Sequence, residues 1–352
     1  MMVNAKKKSG ISTKAGLLMT LREKAGQPVS GEVLAKLMGV SRVAVWKGIQ
    51  ALSLAGYPIE TFDTGYSLNL QKTGDFLYPW EFGEREAMFR HYESTGSTMD
   101  RAREFAVRGP AAEMVITTER QSAGRGRNGR AWASRHGGLF FTILDSTAFS
   151  RSMALAEYNL PAMIFQIAAA RALASLTGKS ARLRWPNDVY VDHRKIAGVM
   201  TELSGEGDII NWLAAGIGVN VNNPVPSGRA VSCAEIAGHQ FSRREVLLKI
   251  IDEAEQLKKR INSGTVYAQG NRLLAAEWNS LADFIGAKAA IVDSGREDLG
   301  KPGKPEDAKG RIFARGIFAG VDPAGRCILK PENGERALYF NPGPVSLVFL
   351  SV

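Results

Sequence analysis

The stretch QSAGRGRNGRAW, residues 121–132, alternates glycine with arginine and ends on a tryptophan. Glycine lets backbone N–H groups approach a ligand closely, and guanidinium groups supply charge and forked donors, so such a loop suits an anion. The same composition also suits a basic segment that coats nucleic acid without reading it. Sixty residues on, RWPNDVYVDHRKIAGVMTEL holds Asn187 and Asp188 at the end of one expected strand and Lys195 at the start of the next. Across a hairpin, that carboxylate and that ammonium converge. A carboxylate near a phosphate can hold Mg²⁺ or orient an incoming amine, and a lysine there offsets charge developing on phosphate. Taken singly, each feature has a plainer meaning: Asn187-Asp188 as an ordinary turn, Lys195 as a solvated flank, Trp132 as core.

The elements that must position these groups read as a mixed sheet with helices on one side. RHYEST is extended, and Ser97 or Thr98 caps a helix carrying Ala102 and Phe105. EMVITTERQ is a strand leading into the arginine–glycine loop, and GGLFFTILD is a strand leaving it. Residues 161–176 form a core helix, interrupted by Gln166 and Arg171 and so not a membrane span. KIAGVMTEL and NWLAAGIGVNVN supply further strands.

Before this domain, residues 1–70 have a different organisation. Leu17, Leu18 and Leu21 recur at helical spacing. Ser30 caps a second helix with Val33, Leu34 and Leu37 inward, and Ser41 caps a third with Val45, Ile49 and Leu52 inward. YPIETFDTGYSL then reads as a hairpin about Asp63-Thr64-Gly65. Helix, helix–turn–helix and hairpin make a winged helix. Ser41, Arg42, Lys47 and Gln50, within a helix–turn–helix from Gly31 to Gln50, are residue types that reach phosphates and base edges. A protein-interaction surface on the same scaffold is the other reading. QKTGDFLYPWEFG, residues 71–83, lacks periodicity and holds Gly74, Pro79 and Gly83, which predicts a linker.

Composition sets the frame. The chain has 352 residues, 45% of them hydrophobic and 23% charged, as in an ordinary globular protein of two or three domains. A formal net charge of +10 favours polyanionic or phosphate-bearing partners. Two cysteines, Cys233 and Cys327, cannot build a disulfide framework, and the scattered histidines lack zinc-ligand spacing. Lys6, Lys7 and Lys8 are not followed by an apolar signal core, so a cytoplasmic protein with no membrane partner is expected.

GRGRNGRAW, RWPNDVYVDHRKIAGVMTEL and GIGVNVN, in that order, resemble the catalytic domain of biotin protein ligases, whose fold is shared with lipoate ligases and class II aminoacyl-tRNA synthetases. SGEVLAKLMGVSRVAVWKGIQAL followed by GYPIET and GYSL resembles the DNA-binding domain of the bifunctional ligase/repressors of that family. The resemblance implies a multidomain α+β protein: a winged helix at 1–70, a linker at 71–83, a catalytic domain at 84–283 and an SH3-like barrel at 284–352. It implies that biotin and MgATP form biotinyl-5′-adenylate, from which a lysine of the biotin carboxyl carrier protein of acetyl-CoA carboxylase takes biotin. No tightly bound prosthetic group is implied.

It further implies repression of biotin-synthesis genes by an adenylate-loaded homodimer on operator DNA, with GIGVNVN as the candidate edge strand for dimerisation. Ser97, Thr98, Gln121, Arg125, Gly126, Arg127 and Lys195 match biotin-binding positions. Arg125, Arg127, Trp132, Asn187 and Asn220 match adenylate-binding positions, and Lys195, Arg127 and Asp188 the catalytic ones. Met99 stands where the family has asparagine, Arg184 where it has lysine, Asn128 where a third basic residue is common, and Arg135 where proline often follows serine. The alternatives are a non-catalytic biotin sensor and a ligase for a related acid such as lipoate.

After the core, the alternating apolar runs of GRIFARGIFAGVDPAGRCILKPENGERALYFNPGPVSLVFL, broken by Asp-Pro, Asn-Gly and Pro-Gly turns, predict a small β-barrel. Residues 293–310 read as a disordered or long hairpin insertion.

Overall fold

The computed structural model describes residues 11–108, 113–146, 158–206, 209–226, 228–262, 267–293, 311–343 and 345–350. The insertion expected over 293–310 lies, beyond Asp293, outside the described residues. The chain falls into two compact units, Met1–His91 and Tyr92–Val352.

In the first unit, serine hydroxyls start all three helices. Ser12 caps α1 (Thr13–Glu23), Ser30 caps α2 (Gly31–Met38) and Ser41 caps α3 (Arg42–Leu54), each accepting a hydrogen bond from the backbone N–H three residues on. Gly39, at φ 64°, ends α2 in the left-handed conformation that lets the chain turn into α3. Leu17, Leu18, Leu21, Leu34, Val45, Ile49 and Leu52 form the core. Strands β1 (Ile59–Phe62) and β2 (Gly65–Leu68) pair antiparallel as a wing, with Phe62 opposite Gly65.

Two expectations need correction here. On α2, Leu34 and Ala35 are buried and Met38 packs against the core, while Val33 and Leu37 are exposed. The helix carries adjacent apolar pairs, 33/34 and 37/38, and only one of the two stripes can face inward. Residues 71–83 are not a featureless linker. Leu70–Lys72 and Pro79–Met88 form 3-10 turns, the latter kinked at Gly83, and Leu77 and Phe82 are buried. Phe76, Tyr78 and Trp80 stack in succession, starting from Tyr57. The buried carboxylate of Glu81 accepts from both terminal nitrogens of Arg22, at 2.7 and 3.0 Å, and from the Tyr57 hydroxyl.

The second unit is built on a seven-stranded sheet. Its order is β3 (Phe89–Thr95), β4 (Met114–Gln121), β5 (Leu139–Asp145), β9 (Ile209–Val219), β8 (Arg194–Glu206), β7 (Asp188–Val191) and β6 (Ala181–Arg184). β9, which carries most of GIGVNVN, therefore lies in the middle. It pairs with β5 from Leu139–Val219 to Asp145–Leu213 and with β8 on its other side, so neither of its backbone edges is open. The expectation that it is an edge strand for dimerisation is overturned: the edges are β3 and β6.

Helices cover both faces of this sheet, not one. On the first face, Met99 and Ala102 of α4 (Thr98–Val107) pack with Ile116, Leu144 and Ala214. Side chains alternate along a strand, so the neighbours of these residues point the other way. There α5 (Leu160–Thr177) packs against β6 and β8, backed by α7 (Arg243–Asn262) and α8 (Tyr267–Leu281). α5 is long and apolar enough to cross a membrane, yet most of it is buried inside this unit. Its fully buried Gln166 accepts from Trp278 Nε1 at 3.0 Å. A short helix, α6 (Cys233–Ala237), follows β9.

A second sheet has five antiparallel strands in the order β13 (Leu338–Phe340), β12 (Cys327–Lys330), β11 (Ile312–Val321), β10 (Lys288–Asp293) and β14 (Val345–Phe349). Cys233 and Cys327 are buried and unpaired with each other.

Candidate functional site

The α4 face of the large sheet carries a cavity of about 990 Å³, walled by the arginine–glycine loop, the β6–β7 turn, β8, β9 and β14. Its floor is the sheet itself. Gly198 on β8 and Gly218 on β9 are paired in register, and the indole of Trp132 lies against both. A Cβ on Gly218 would stand 2.5 Å from the Trp132 ring, and one on Gly198 would stand 3.0 Å from it. Glycine is required here by close approach. Among the described residues Trp132 Nε1 is buried without a hydrogen-bond partner, a donor left over for something in the cavity.

At one end, Gln121 closes β4 and faces the start of α4. Its carbonyl oxygen accepts from Thr98 N at 2.9 Å and Thr98 Oγ1 at 3.2 Å, while its Nε2 donates to Ser134 Oγ at 2.9 Å. Thr142 Oγ1 donates to Thr98 Oγ1 at 2.8 Å. Ser97 caps α4 by accepting from Met99 N at 3.2 Å, which leaves its hydroxyl proton to donate. A polar ligand head meets two hydroxyls and an amide here, all held on rigid elements. Met99, where the family has asparagine, buries its side chain against the sheet beside Gly216.

At the other end stand the charges. Asp188 opens β7 instead of closing a strand. Paired with Gly198, it reaches Lys195 diagonally across the hairpin, Lys195 Nζ lying 2.7 Å from Asp188 Oδ1. The Lys195 ammonium is also 5.1 Å from the centre of the Trp132 indole. The backbone on either side of Lys195 is pinned: its N–H donates to Arg229 O and its carbonyl accepts from Val231 N. Asn187 Nδ2 donates to Val199 O, holding the turn at the cavity edge.

The loop closes the roof. Arg125 bridges to Asp100 of α4, Nη2 to Oδ1 at 2.5 Å, and Arg127 donates from Nη2 to Gly343 O. Asn128 sits at φ 58°, a left-handed conformation that asparagine adopts more readily than most residues. Burial lowers the Arg127 guanidinium from its ordinary value, with Arg130 adding and Asp188 opposing. An anion entering the cavity would offset that cost.

Arg184, in place of the family lysine, lies between the rings of Tyr190 and Phe284, at 3.9 and 4.6 Å, and pairs with Asp283 at 3.0 Å. Burial pushes the Tyr190 phenol up to about 12. A flat guanidinium suits this slot better than an ammonium would.

Thus Ser97, Thr98, Gln121, Arg125, Gly126, Arg127, Trp132, Asn187, Asp188 and Lys195 line one cavity. Asn220 does not. Its Oδ1 accepts from Asn223 Nδ2, its Nδ2 lies 3.5 Å from Lys195 O, and it therefore braces Lys195 from outside the cavity lining. Sequence reasoning missed Asp100, Ser134, Gly198, Gly218 and the β14 wall. The glycine spacing of GIGVNVN was the available signal for Gly218. In the first unit, Arg42, Lys47 and Gln50 lie exposed along α3, and Ser41 Oγ accepts from Ala44 N at 3.1 Å.

Comparison with known proteins agrees with this architecture. Residues 92–222 match the biotin/lipoate A/B protein ligase family and residues 15–66 match a helix–turn–helix (HTH) domain. The bifunctional ligase/repressor BirA of Bacillus subtilis is 29% identical over 336 residues, covering 92% of this chain and 95% of that protein. The biotin–[acetyl-CoA-carboxylase] ligase of Paracoccus denitrificans is 30% identical over 236 residues, covering 63% of this chain and 86% of that protein. The structure of the biotin protein ligase of Aquifex aeolicus in complex with biotin and ATP is similar at 26% identity and a TM-score of 0.58, covering 74% of this chain and 98% of that one. With a helix–turn–helix preceding its ligase domain, the chain belongs to the biotin/lipoate A/B protein ligase family.

Proposed function

We propose that this protein is an ATP-dependent, AMP-forming biotin protein ligase that also represses transcription in response to biotin. The observation that carries the reading is the assembly of the Thr98–Gln121 pair, the arginine–glycine loop and the Lys195–Asp188 ion pair around one cavity. In the proposed first step, a biotin carboxylate oxygen attacks the α-phosphorus of ATP. The bond to the β-phosphate bridging oxygen breaks, and pyrophosphate leaves. Lys195 offsets charge on the carboxylate and α-phosphate, with Arg125 and Arg127 on the phosphate oxygens. In the second step, the acceptor lysine amine attacks the acyl carbon of biotinyl-5′-adenylate, AMP leaves, and Asp188 orients the amine.

Ser97, Thr98 and Gln121 hold the ureido head of biotin, while Trp132 packs on the adenine side and Asn187 borders it. Asn220 acts on the adenylate site through Lys195. Magnesium enters with ATP as part of that substrate, and Asp188 is the carboxylate positioned to meet it. Closure of the loop keeps water from the mixed anhydride.

The same proposal assigns catalysis to residues 84–283 and support of ATP and acceptor to an SH3-like domain at 284–352. The lining contributed by β14 and the antiparallel order of its sheet support that role. The acceptor is the biotin carboxyl carrier protein, and the setting is the cytoplasm, in keeping with two buried free thiols. With adenylate bound, a homodimer presents Arg42, Lys47 and Gln50 to operator DNA.

The test is the mass of a biotin-acceptor domain after incubation with the protein, biotin and MgATP. Gain of one biotinyl group, lost in Lys195→Ala, is the expected result. Biotin binding without any transfer would reduce the protein to a sensor.

A further inference from the structure

Helix α3 keeps three large apolar side chains in water, Val43 and Trp46 near its start and Leu54 at its last residue. Val45, Ile49 and Leu52 are buried, but Val43 is 61% exposed and Trp46 is 51% exposed. Val43 and Trp46 stand one turn apart, in the first two turns after the Ser41 cap, on the side that also exposes Arg42, Lys47 and Gln50. The unit's own core does not need this surface: eleven buried side chains, with Trp80, Tyr78 and Phe76 packed against them, form it elsewhere.

We infer that Val43 and Trp46 read the 5-methyl groups of thymines in the major groove. The inference rests on the repressor reading above and names the bases that face α3. In a helix–turn–helix, the early residues of the second helix reach base edges, which places Val43 and Trp46 at bases and not at phosphates. Among major-groove edges, the thymine methyl is the apolar one, so it is the feature that an apolar side chain distinguishes. Charge complementarity on the same face selects nucleic acid over an apolar protein partner: Arg42 and Lys47 flank the pair, and no carboxylate shares the exposed side of α3. The wing, in contrast, carries Glu60 and Asp63. It is poorly suited to phosphate, so sequence reading is concentrated on the helix.

The test uses the full chain with biotin and MgATP. A randomised duplex library is selected for binding, and the enriched duplex is resynthesised with deoxyuridine for thymidine at each enriched T·A pair. For the wild type, affinity falls about fourfold per contacted methyl. Val43→Ser, an exposed position with little effect on folding, binds thymine and uracil equally at the positions Val43 contacts and keeps the penalty at the others, and Trp46→Gln does the same for its own subset of positions. A wild type indifferent to the methyl groups, or variants that keep the full uracil penalty, overturns the inference while leaving the repressor intact. Variants that bind DNA normally but change oligomeric state overturn it in favour of a second copy on this face. Failure to enrich any sequence removes the repressor reading itself.

Discussion

Arg125 of the roof loop and Asp100 of α4 share an ion pair at 2.5 Å, with Arg103 reaching the same carboxylate oxygen at 3.1 Å. The hydrogen bond from Arg125 is the largest cause of a lowered Asp100 carboxyl, and Arg103 adds to it. A carboxyl lowered on folding contributes while it is ionised, and that contribution is lost as pH falls through its folded value. The pair therefore holds the loop down throughout neutral pH and releases only in acid, once pH falls below the ordinary aspartate range.

Replacing Asp100 with Asn frees that corner of the loop. Because both partners are partly exposed, the expected effect is modest: KM for biotin rises about two- to fivefold with kcat less affected. Added salt should reproduce much of the change in the wild type and little in the variant. Steady-state transfer to an acceptor domain at two ionic strengths measures both.

Gly218→Ala attacks the seat of Trp132. The added Cβ would lie 2.5 Å from a rigid ring, so the indole must leave its place. Ligation should fall by at least about tenfold. Tryptophan emission should shift to the red, while the melting temperature changes little. Unchanged activity would show that Trp132 is not held by this contact in the working enzyme.

Lys258 bridges Glu113 and the buried Asp145 at 2.8 and 2.9 Å, away from the cavity. Desolvation pulls the ammonium down, but Asp145 and then Glu113 outweigh it, and its proton is held above the ordinary lysine range. A group raised on folding stabilises fully below its unfolded value, near pH 10.4, and loses that contribution as pH rises through the folded one. Lys258→Met leaves Asp145 without this partner and should destabilise the second unit by about 2–4 kcal/mol at neutral pH, as read by denaturant melts.

Glu81→Gln tests the docking of residues 79–88 within the first unit. It weakens the Arg22 pair and the Tyr57 hydrogen bond together. With Arg22 partly exposed, a loss of about 1–3 kcal/mol is expected. The transition of the first unit should melt earlier, with ligation at low temperature unaffected.

Much of this was legible in advance because local signals and tertiary structure agreed. Serine caps and leucine spacing marked α1 to α3, and the order of three motifs marked the cavity. The misreadings have a common physical origin. Val33 and Leu37 look inward on a helical wheel, but a neighbouring stripe has an equal claim, and only packing decides. Phe76, Tyr78 and Trp80 alternate with period two, but three residues set between glycines and a proline are too short a run for that rhythm to stand out. Strand order was beyond reach: nothing within GIGVNVN says that β5 and β8 would flank it. Asn220 shows the limit from another side, since a motif match gives membership of a site but not whether a residue faces inward.

The placement of Gly198 and Gly218 has a practical outcome for chemistry at this site. Their strands lie inside the sheet, fixed by neighbours on each side, so the floor cannot yield. The start of the roof loop is fastened to Thr95 and Gly96 by backbone hydrogen bonds, whereas its arginines are held by the surface ion pair to Asp100 and the bond to the Gly343 carbonyl. Synthetic analogues carrying extra bulk should therefore be refused when the bulk faces the strands and tolerated when it faces the loop. Handles for selective labelling belong on the roof side.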